Sequence, residues 1–287
     1  MDLLAQLIVN GLVNGSHYAL LALGFGLIFG TTRVTHFAYG PVYAASAYGC
    51  WFVAAQLNAP LWVAMLGGVL TGIVVGVLAY LFVYRPFERK GSTSLVILIA
   101  SLGLFIVIEN ALGILFGTDT KVVPSPPSAI FLWGPLVVTG VQLTQIAALI
   151  VCAGALGLYL TKTRMGKAVL AMTDNPEMAR VIGIDTLRVS VISFAIGSAL
   201  AAVPAGLILI KDGATAHMGF LAVFMAFVAV VVGGVGSLKG AVIGGLALGL
   251  IESTGMIEIP TEWQSSVAFV VLFVVLLVRP RGLFGGR

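Results

Sequence analysis

The residues of this sequence that could carry chemistry are few, and most of them lie inside long apolar stretches. Glu109 and Glu252 are carboxylates within such stretches, while Asn14, Ser16 and His17 lie near the start of the first one. A charge buried in hydrocarbon costs about 2.5–3.5 kcal/mol at the centre of a bilayer, so residues of this kind usually mark a path for a solute or an ion. We therefore predict a substrate path with these candidates: Asn14, Ser16, His17, Glu109, Asn110 and Glu252.

A packing role for the same side chains stays open. Polar groups in the first stretch can hydrogen-bond to a neighbouring helix, and Glu109 can be neutral or bonded to a partner helix. Glu252 can simply begin the outer interface. The three histidines, His17, His36 and His217, fall in separate parts of the sequence, and a membrane-embedded enzyme or metal centre would need such groups clustered. We predict neither catalytic residues nor a metal site.

Composition assigns the chain to the membrane. Of its 287 residues 60% are hydrophobic and only 9% are charged, with a mean hydropathy of +1.11. Apolar stretches recur at about 20 residues, the length of a helix that crosses a bilayer. The net charge of +4 resides in short loops, which fits membrane orientation better than nucleic-acid binding. The two cysteines, Cys50 and Cys152, have no disulfide or metal spacing, and the N-terminus lacks the basic region of a signal peptide.

The fold class predicted is all-α, a polytopic membrane helix bundle of about eight to nine transmembrane helices in a single domain over 1–287. Nine candidate spans can be drawn: 7–30, 38–57, 61–83, 94–117, 133–160, 189–210, 219–237, 241–257 and 264–279. The spans 38–57 and 219–237 are rich in Gly and Ala, so one of them could be a broken or re-entrant segment.

The distribution of basic residues predicts the orientation. If the N-terminus lies outside, 13 of the 15 Lys and Arg residues are in cytoplasmic loops, and only Lys121 and Lys211 are outside. Cytoplasmic loops carry an excess of Lys and Arg. We therefore predict an N-terminus outside and a C-terminus in the cytoplasm.

The longest polar interval, 162–188, is predicted to be a folded docking element on the cytoplasmic side. Asn175 can cap a short helix, Pro176 suits its first turn, Glu177 favours its positive end, and Gly183 can close it in a left-handed conformation. The interval also carries apolar residues at helical spacing. The alternative is a solvated connector between two spans.

Glycines recur at four-residue spacing in two places, 68–76 and 236–249. Such a ridge lets a second helix approach closely, and because lipid provides no hydrophobic drive for helix pairing, close packing is its usual role. We predict a tightly packed bundle.

Several segments together resemble the permease subunits of high-affinity branched-chain amino acid ABC importers, of the LivH type. The segments are GLVNGSHYALLALGFGLIFG, THFAYGPVYAASAYG, YRPFERK, SLGLFIVIENALGILFG, RMGKAVLAMTDNPEMARVIGID, VAVVVGGVGSLKGAVIGGLALGLIE and RPRGLFG. They cover nearly the whole chain, and their order and combination carry the resemblance.

The resemblance implies a permease in the bacterial cytoplasmic (inner) membrane that imports branched-chain amino acids or a related small polar solute. It implies three kinds of protein partner: a second homologous permease subunit, two cytoplasmic ATPase subunits and an extracytoplasmic solute-binding protein. Membrane lipid is the remaining partner predicted, and it follows from the composition. No Walker A sequence is present, so ATP and Mg would belong to the ATPase subunits and this chain would bind no cofactor. A self-contained secondary transporter or channel is the alternative, although it would need an ion-coupling network.

The resemblance also implies that 162–188 contains the helix that couples to the ATPase. The coupling candidates are Met172, Asn175, Pro176, Glu177, Arg180, Val181, Ile182 and Gly183.

Overall fold

The computed structural model describes residues 2–123, 129–133, 136–255, 263–279 and 282–285. Within these residues the protein is an all-α membrane protein. The helices are α1 (Asp2–Thr32), α2 (Tyr39–Trp51), α3 (Leu61–Ala79), α4 (Arg85–Arg89), α5 (Ser94–Phe116), α6 (Gly140–Lys162), α7 (Arg164–Asp174), α8 (Pro176–Val181), α9 (Thr186–Asp212), α10 (Gly219–Gly233), α11 (Leu238–Gly255) and α12 (Gln264–Val278). Single π turns extend α2 over Phe52–Gln56 and α3 over Tyr80–Tyr84, and a 3-10 turn, Ala216–Met218, precedes α10.

Six helices of the described chain are long and apolar enough to cross a membrane. They lie within Leu3–Thr32, Leu61–Arg89, Ser94–Phe116, Gly140–Lys162, Thr186–Asp212 and Ala216–Gly233. Three further predicted spans coincide with α2, α11 and α12, which do not reach this length and hydropathy. A helix-rich membrane fold is thus confirmed, and the six candidate spans range from 18 to 30 residues in length.

One predicted span begins at the wrong place. The sequence suggested a span over 133–160, but the helix starts at Gly140, and the chain before it forms an antiparallel hairpin of β1 (Ile130–Trp133) and β2 (Leu136–Thr139). Thr139 caps α6 by a capping box with Gln142, which fixes the helix start. Strand β2 consists of mainly apolar and mostly β-branched residues directly before α6, so hydropathy alone could not distinguish the strand from the start of the helix.

Helix α11 packs along α1 through glycine. A Cβ placed on Gly245 would lie 2.5 Å from the Cα of Ala19, and one on Gly68 in α3 would lie 2.7 Å from the carbonyl oxygen of Ser46 in α2. Backbones that approach this closely leave no room for any side chain. Both predicted glycine ridges are therefore confirmed as packing surfaces.

The starts of α2 and α10 meet inside the molecule. A Cβ on Gly219 would lie 2.5 Å from the carbonyl carbon of Gly40, so the two backbones touch. Close by, the Tyr39 hydroxyl donates to the carbonyl of Leu21, well inside the long helix α1. Each helix is reached through a connection that is not α-helical and is largely buried, 33–38 before α2 and 213–218 before α10. Such backbone is tolerated at depth only where the protein covers it or it lines a cavity, and both spans suspected of being broken show this construction.

Contacts between helices give the relative direction of several pairs. Along α1 from Gly11 to Ala19 the contacts on α11 run backwards from Leu250 to Gly245, whereas α1 and α10 run parallel, with Gly26 beside Val230. The contacts of α5 likewise run parallel to α2, from Ser101 beside Ala38 to Phe116 beside Tyr48. Two ends of the bundle are defined in this way.

Candidate coupling surface and polar sites

The interval 162–188 is folded, with two short helices, α7 and α8. Asn175 caps α8, since its Oδ1 accepts from the Met178 backbone N–H at 3.0 Å, and Pro176 occupies the first turn. Glu177 lies in that turn, and Gly183 has φ 85° just after the helix. The predicted cap, first turn and left-handed end of this helix are thus confirmed. They could be predicted because each depends only on residues that are neighbours in the sequence.

The two helices expose different kinds of surface. On α8 and the turn after it, apolar side chains face outward: Met178 is 56% exposed, Val181 81% and Ile182 66%. Arg180 and Glu177 beside them are also exposed. An exposed apolar patch rimmed by charges is typical of a protein interaction surface.

Met172 was predicted as a coupling candidate, but it lies on the opposite, buried surface of the interval. Its side chain is only 3% exposed and packs in a cluster with Val169, Leu27 and Leu160. Helical spacing identified α7 as amphipathic, but its apolar face is turned toward α1 and α6. Met172 therefore anchors the interval to the bundle from within.

Arg33 links the end of α1 to this interval. Its Nη2 donates to the carbonyl oxygen of Thr173 in α7 at 2.9 Å. Arg33 has φ 58°, a left-handed conformation that costs roughly 1–3 kcal/mol for a non-glycine residue and persists only where the surroundings hold it. The Thr173 methyl lies in a notch between Gly30 and Gly236, 3.3 and 3.9 Å from a Cβ placed there.

The predicted path residues form two groups. In the first, the Glu109 carboxylate on α5 pairs with the Nδ1 of His217, just before α10. The Glu109 side chain is 16% exposed and that of His217 is 68% exposed. Asn110 is exposed next to them and donates to the carbonyl of Ile106 in its own helix. This group borders the outer surface of the chain.

His217 was not among the path residues predicted from the sequence. The 213–218 connection turns inward and brings it against Glu109. The signal in the sequence was that His217, an ionisable residue, directly precedes an apolar span, while another span contains the carboxylate of Glu109. Spacing alone could not have paired residues 108 positions apart.

The second group is internal. His17 is buried, its Nε2 lies 3.3 Å from the Tyr43 hydroxyl, and its ring meets that of Tyr18 edge to face. Ser16 donates to the carbonyl of Leu12 at 2.7 Å. Its hydroxyl is therefore used within its own helix, and the packing alternative fits it well.

Glu252 and Asn14 complete the set of predicted path residues. Glu252 is 3% exposed on α11, and in the described part of the chain its Oε2 has no hydrogen-bond partner. Asn14 is half-buried on α1. The structure does not bring Glu252 into the Glu109 pair, which lies on α5 and the 213–218 connection, so the six candidates do not form one continuous site.

A third polar group was not predicted. The Nδ1 of His36 lies 2.7 Å from the Tyr84 hydroxyl, which lies 2.8 Å from the Ser101 Oγ; this oxygen accepts from the backbone N–H of Ala38 at 3.2 Å. Burial lowers the pKa of His36 to about 3, so the ring is neutral near pH 7. The group joins the 33–38 connection to α3 and α5.

Among the residues that the structure describes, no set of three or more His, Cys, Asp or Glu side chains could hold a metal ion.

Membrane-length helices, polar groups set within them and a folded polar interval at one end define a multi-pass membrane transport protein. The comparisons with known proteins give its family. The chain belongs to the branched-chain amino acid transport system permease component family, whose model matches residues 7–276. It is thus a transporter subunit of the ABC permease type and not an enzyme.

Two curated relatives span almost the full length. The chain is 34% identical to the high-affinity branched-chain amino acid transport system permease protein BraD of Pseudomonas aeruginosa, over 98% of this chain and 95% of the relative. It is 33% identical to the permease protein LivH of Escherichia coli K12, with the same coverage. The sequence resemblance to this family is confirmed.

A solved structure shares the fold. PsaBC from Streptococcus pneumoniae in complex with Fab matches with a TM-score of 0.55 at 12% identity, covering 96% of this chain and 92% of that chain. At this identity the match supports the architecture alone.

Proposed function

We propose that this chain imports branched-chain amino acids, or a related small polar solute, as one half of a permease pair driven by two cytoplasmic ATPase subunits. A solute-binding protein on the outer side would deliver the solute, and ATP and Mg would bind to the ATPase subunits. Two relatives of nearly the same length, from two bacteria, carry branched-chain amino acid transport in their names. The second permease subunit would be a homologue of this chain.

The single observation that carries the coupling proposal is the rigid, exposed apolar patch on α8. Met178 and Val181 lie on α8 and Ile182 lies in the turn after it, between the cap at Asn175 and the left-handed Gly183. An ATPase subunit would bury this patch, with Arg180 and Glu177 at its rim. Met172, on the buried side of α7, and Pro176, in the first turn of α8, would hold α8 in place.

The crossing number and orientation are also proposals. Nine segments that alternate in direction, α1, α2, α3, α5, α6, α9, α10, α11 and α12, would put the two termini on opposite sides. The contact of Gln6 with Val137 lies at one end of the bundle and that of Arg33 with Thr173 at the other. The basic residues of 162–188 favour the second end as cytoplasmic.

The solute path is proposed to run beside Glu109, Asn110 and His217. Asn110 and His217 are exposed and Glu109 is half-buried, on α5 and in the connection before α10, where the hydrocarbon of a lipid bilayer would be costly for these polar side chains. A second permease subunit facing this surface would enclose them. His17 and Glu252 would contribute from inside the bundle.

The coupling proposal is tested with Val181→Asp and Ile182→Asp in the assembled transporter. We expect the ATPase subunits to be lost from affinity-purified permease, and L-leucine uptake into proteoliposomes with them, because a charge is placed in an apolar interface. Arg188→Ala is the matched control, since Arg188 is exposed in the same interval and pairs with Asp185. Full retention of the ATPase subunits by both aspartate variants would refute the coupling role of α8.

A further inference from the structure

Arg33 is held where three parts of the molecule meet. It ends α1, with its backbone N–H donating to the carbonyl of Phe29 at 2.9 Å, and it begins the buried 33–38 connection. Its side chain reaches across to the Thr173 carbonyl of α7. A displacement of α7 is therefore felt directly at the first residue of this connection.

The 33–38 connection is in turn fixed to α3 and α5 by a directed chain of hydrogen bonds. The Ala38 backbone N–H can only donate, so the Ser101 Oγ accepts from it; Ser101 then donates to the Tyr84 hydroxyl, and Tyr84 donates to the His36 Nδ1. This order satisfies every hydroxyl. It leaves the proton on the His36 Nε2, an atom with no partner among the described residues.

Packing makes this assembly stiff. The His36 ring is fully buried, with the ring of Phe194 5.0 Å away, and Phe194 also packs on Tyr84 at 5.6 Å. Packed side chains and hydrogen-bonded networks of this kind transmit displacement between sites when the elements they join have discrete arrangements.

We propose that Arg33 and the His36–Tyr84–Ser101 chain are positioning residues that convey movement of the 162–188 interval to α2, α3 and α5. The inference rests on the proposed coupling of α8 to an ATPase subunit and assigns the route inside this chain. Arg33 senses α7 through the Thr173 carbonyl, and the buried chain moves the start of α2 and the inner part of α5 together. Because α5 carries Glu109, the route ends at the proposed solute path.

The first test uses variants that remove one interaction and little else. Arg33→Gly deletes the guanidinium while suiting the left-handed backbone, and Arg33→Lys restores a donor. Tyr84→Phe deletes one hydroxyl and keeps the ring. Asn58→Gly is the matched control, because Asn58 is the other described non-glycine residue with positive φ, 49°, and lies in the turn before α3.

The readout compares uptake with ATP hydrolysis in proteoliposomes that contain the complete transporter and the binding protein with L-leucine. Coupling between sites commonly amounts to about 5–150-fold, so we expect the ratio of uptake to hydrolysis to fall at least about fivefold in Arg33→Gly and Tyr84→Phe. The ATPase subunits remain bound, Arg33→Lys recovers part of the ratio, and Asn58→Gly equals wild type. The Arg33→Gly/Tyr84→Phe double variant should fall no further than the worse single variant, because both break the same route.

A second readout does not depend on the solute. Hydrogen exchange in the wild-type transporter should change on addition of ATP both in 164–183 and in 94–116, and the variants should keep the first change and lose the second. An unchanged ATP response of 94–116 in both variants, or a loss of uptake that only parallels loss of assembly, would overturn the route. Failure of wild-type L-leucine uptake or of ATPase association would instead count against the proposed function.

Discussion

Glu109 of α5 pairs with His217 of the connection that leads into α10, and the two residues lie on the exposed side of the chain. Helix α5 is the least buried of the six membrane-length helices, because only 11% of its most apolar 18-residue stretch is buried within the chain. The pair therefore ties a loosely packed helix to a buried connection. The pair could stabilise the packing of α5 or contact the solute. Substitution of either residue distinguishes these two roles.

Glu109→Gln is expected to lower solute uptake several-fold while leaving the free energy of unfolding within about 1 kcal/mol of wild type, since one hydrogen bond contributes about 0.5–1.5 kcal/mol and Gln keeps an acceptor for His217. The amide keeps the shape and one acceptor oxygen but removes the charge. Uptake in proteoliposomes and thermal unfolding in detergent give the two quantities. His217→Asn should act in the same direction. Wild-type uptake in both variants would show that the pair only stabilises the packing of α5.

Gly245→Ala is expected to destabilise the protein strongly, because its Cβ would lie 2.5 Å from Ala19 on α1 and cannot be accommodated without moving a helix. Overpacking of this kind typically costs about 1–3 kcal/mol. Gly113→Ala is the matched control on α5, where nothing lies within 4 Å of the added Cβ. There the same change should be neutral or raise helix stability by up to about 1 kcal/mol. Unfolding temperatures in detergent check both, and equal values would show that α11 does not pack on α1 through this glycine.

The orientation can be tested with two exposed positions at opposite ends of the bundle. In a chain whose native cysteines are replaced by alanine and which is produced without the ATPase subunits, Asn58→Cys should react with a membrane-impermeant maleimide added to intact cells, and Val181→Cys only after the membrane is opened. The reason is the excess of Lys and Arg at the end that includes Val181. Labelling in the reverse order would invert the proposed topology.

The sequence by itself determined those features that depend on neighbours along the chain or on overall composition. Asn175 caps the start of α8 and Gly183 follows its end because capping and left-handed turns need particular residues at particular local positions. The membrane class follows from hydropathy, and the glycine ridges follow from a spacing that only close helix packing requires.

Tertiary structure alone decided which faces are covered and which distant groups meet. Met172 and Val181 belong to the same pattern of apolar spacing, yet one is 3% exposed and the other 81%, because α7 rests on α1 while α8 projects beyond it. Glu109 contacts His217, and Arg33 contacts Thr173, because two buried connections fold back into the bundle. Hydrophobic periodicity predicts which residues of a helix can be buried. It does not predict which residues of other helices they contact, because those contacts depend on how the helices pack.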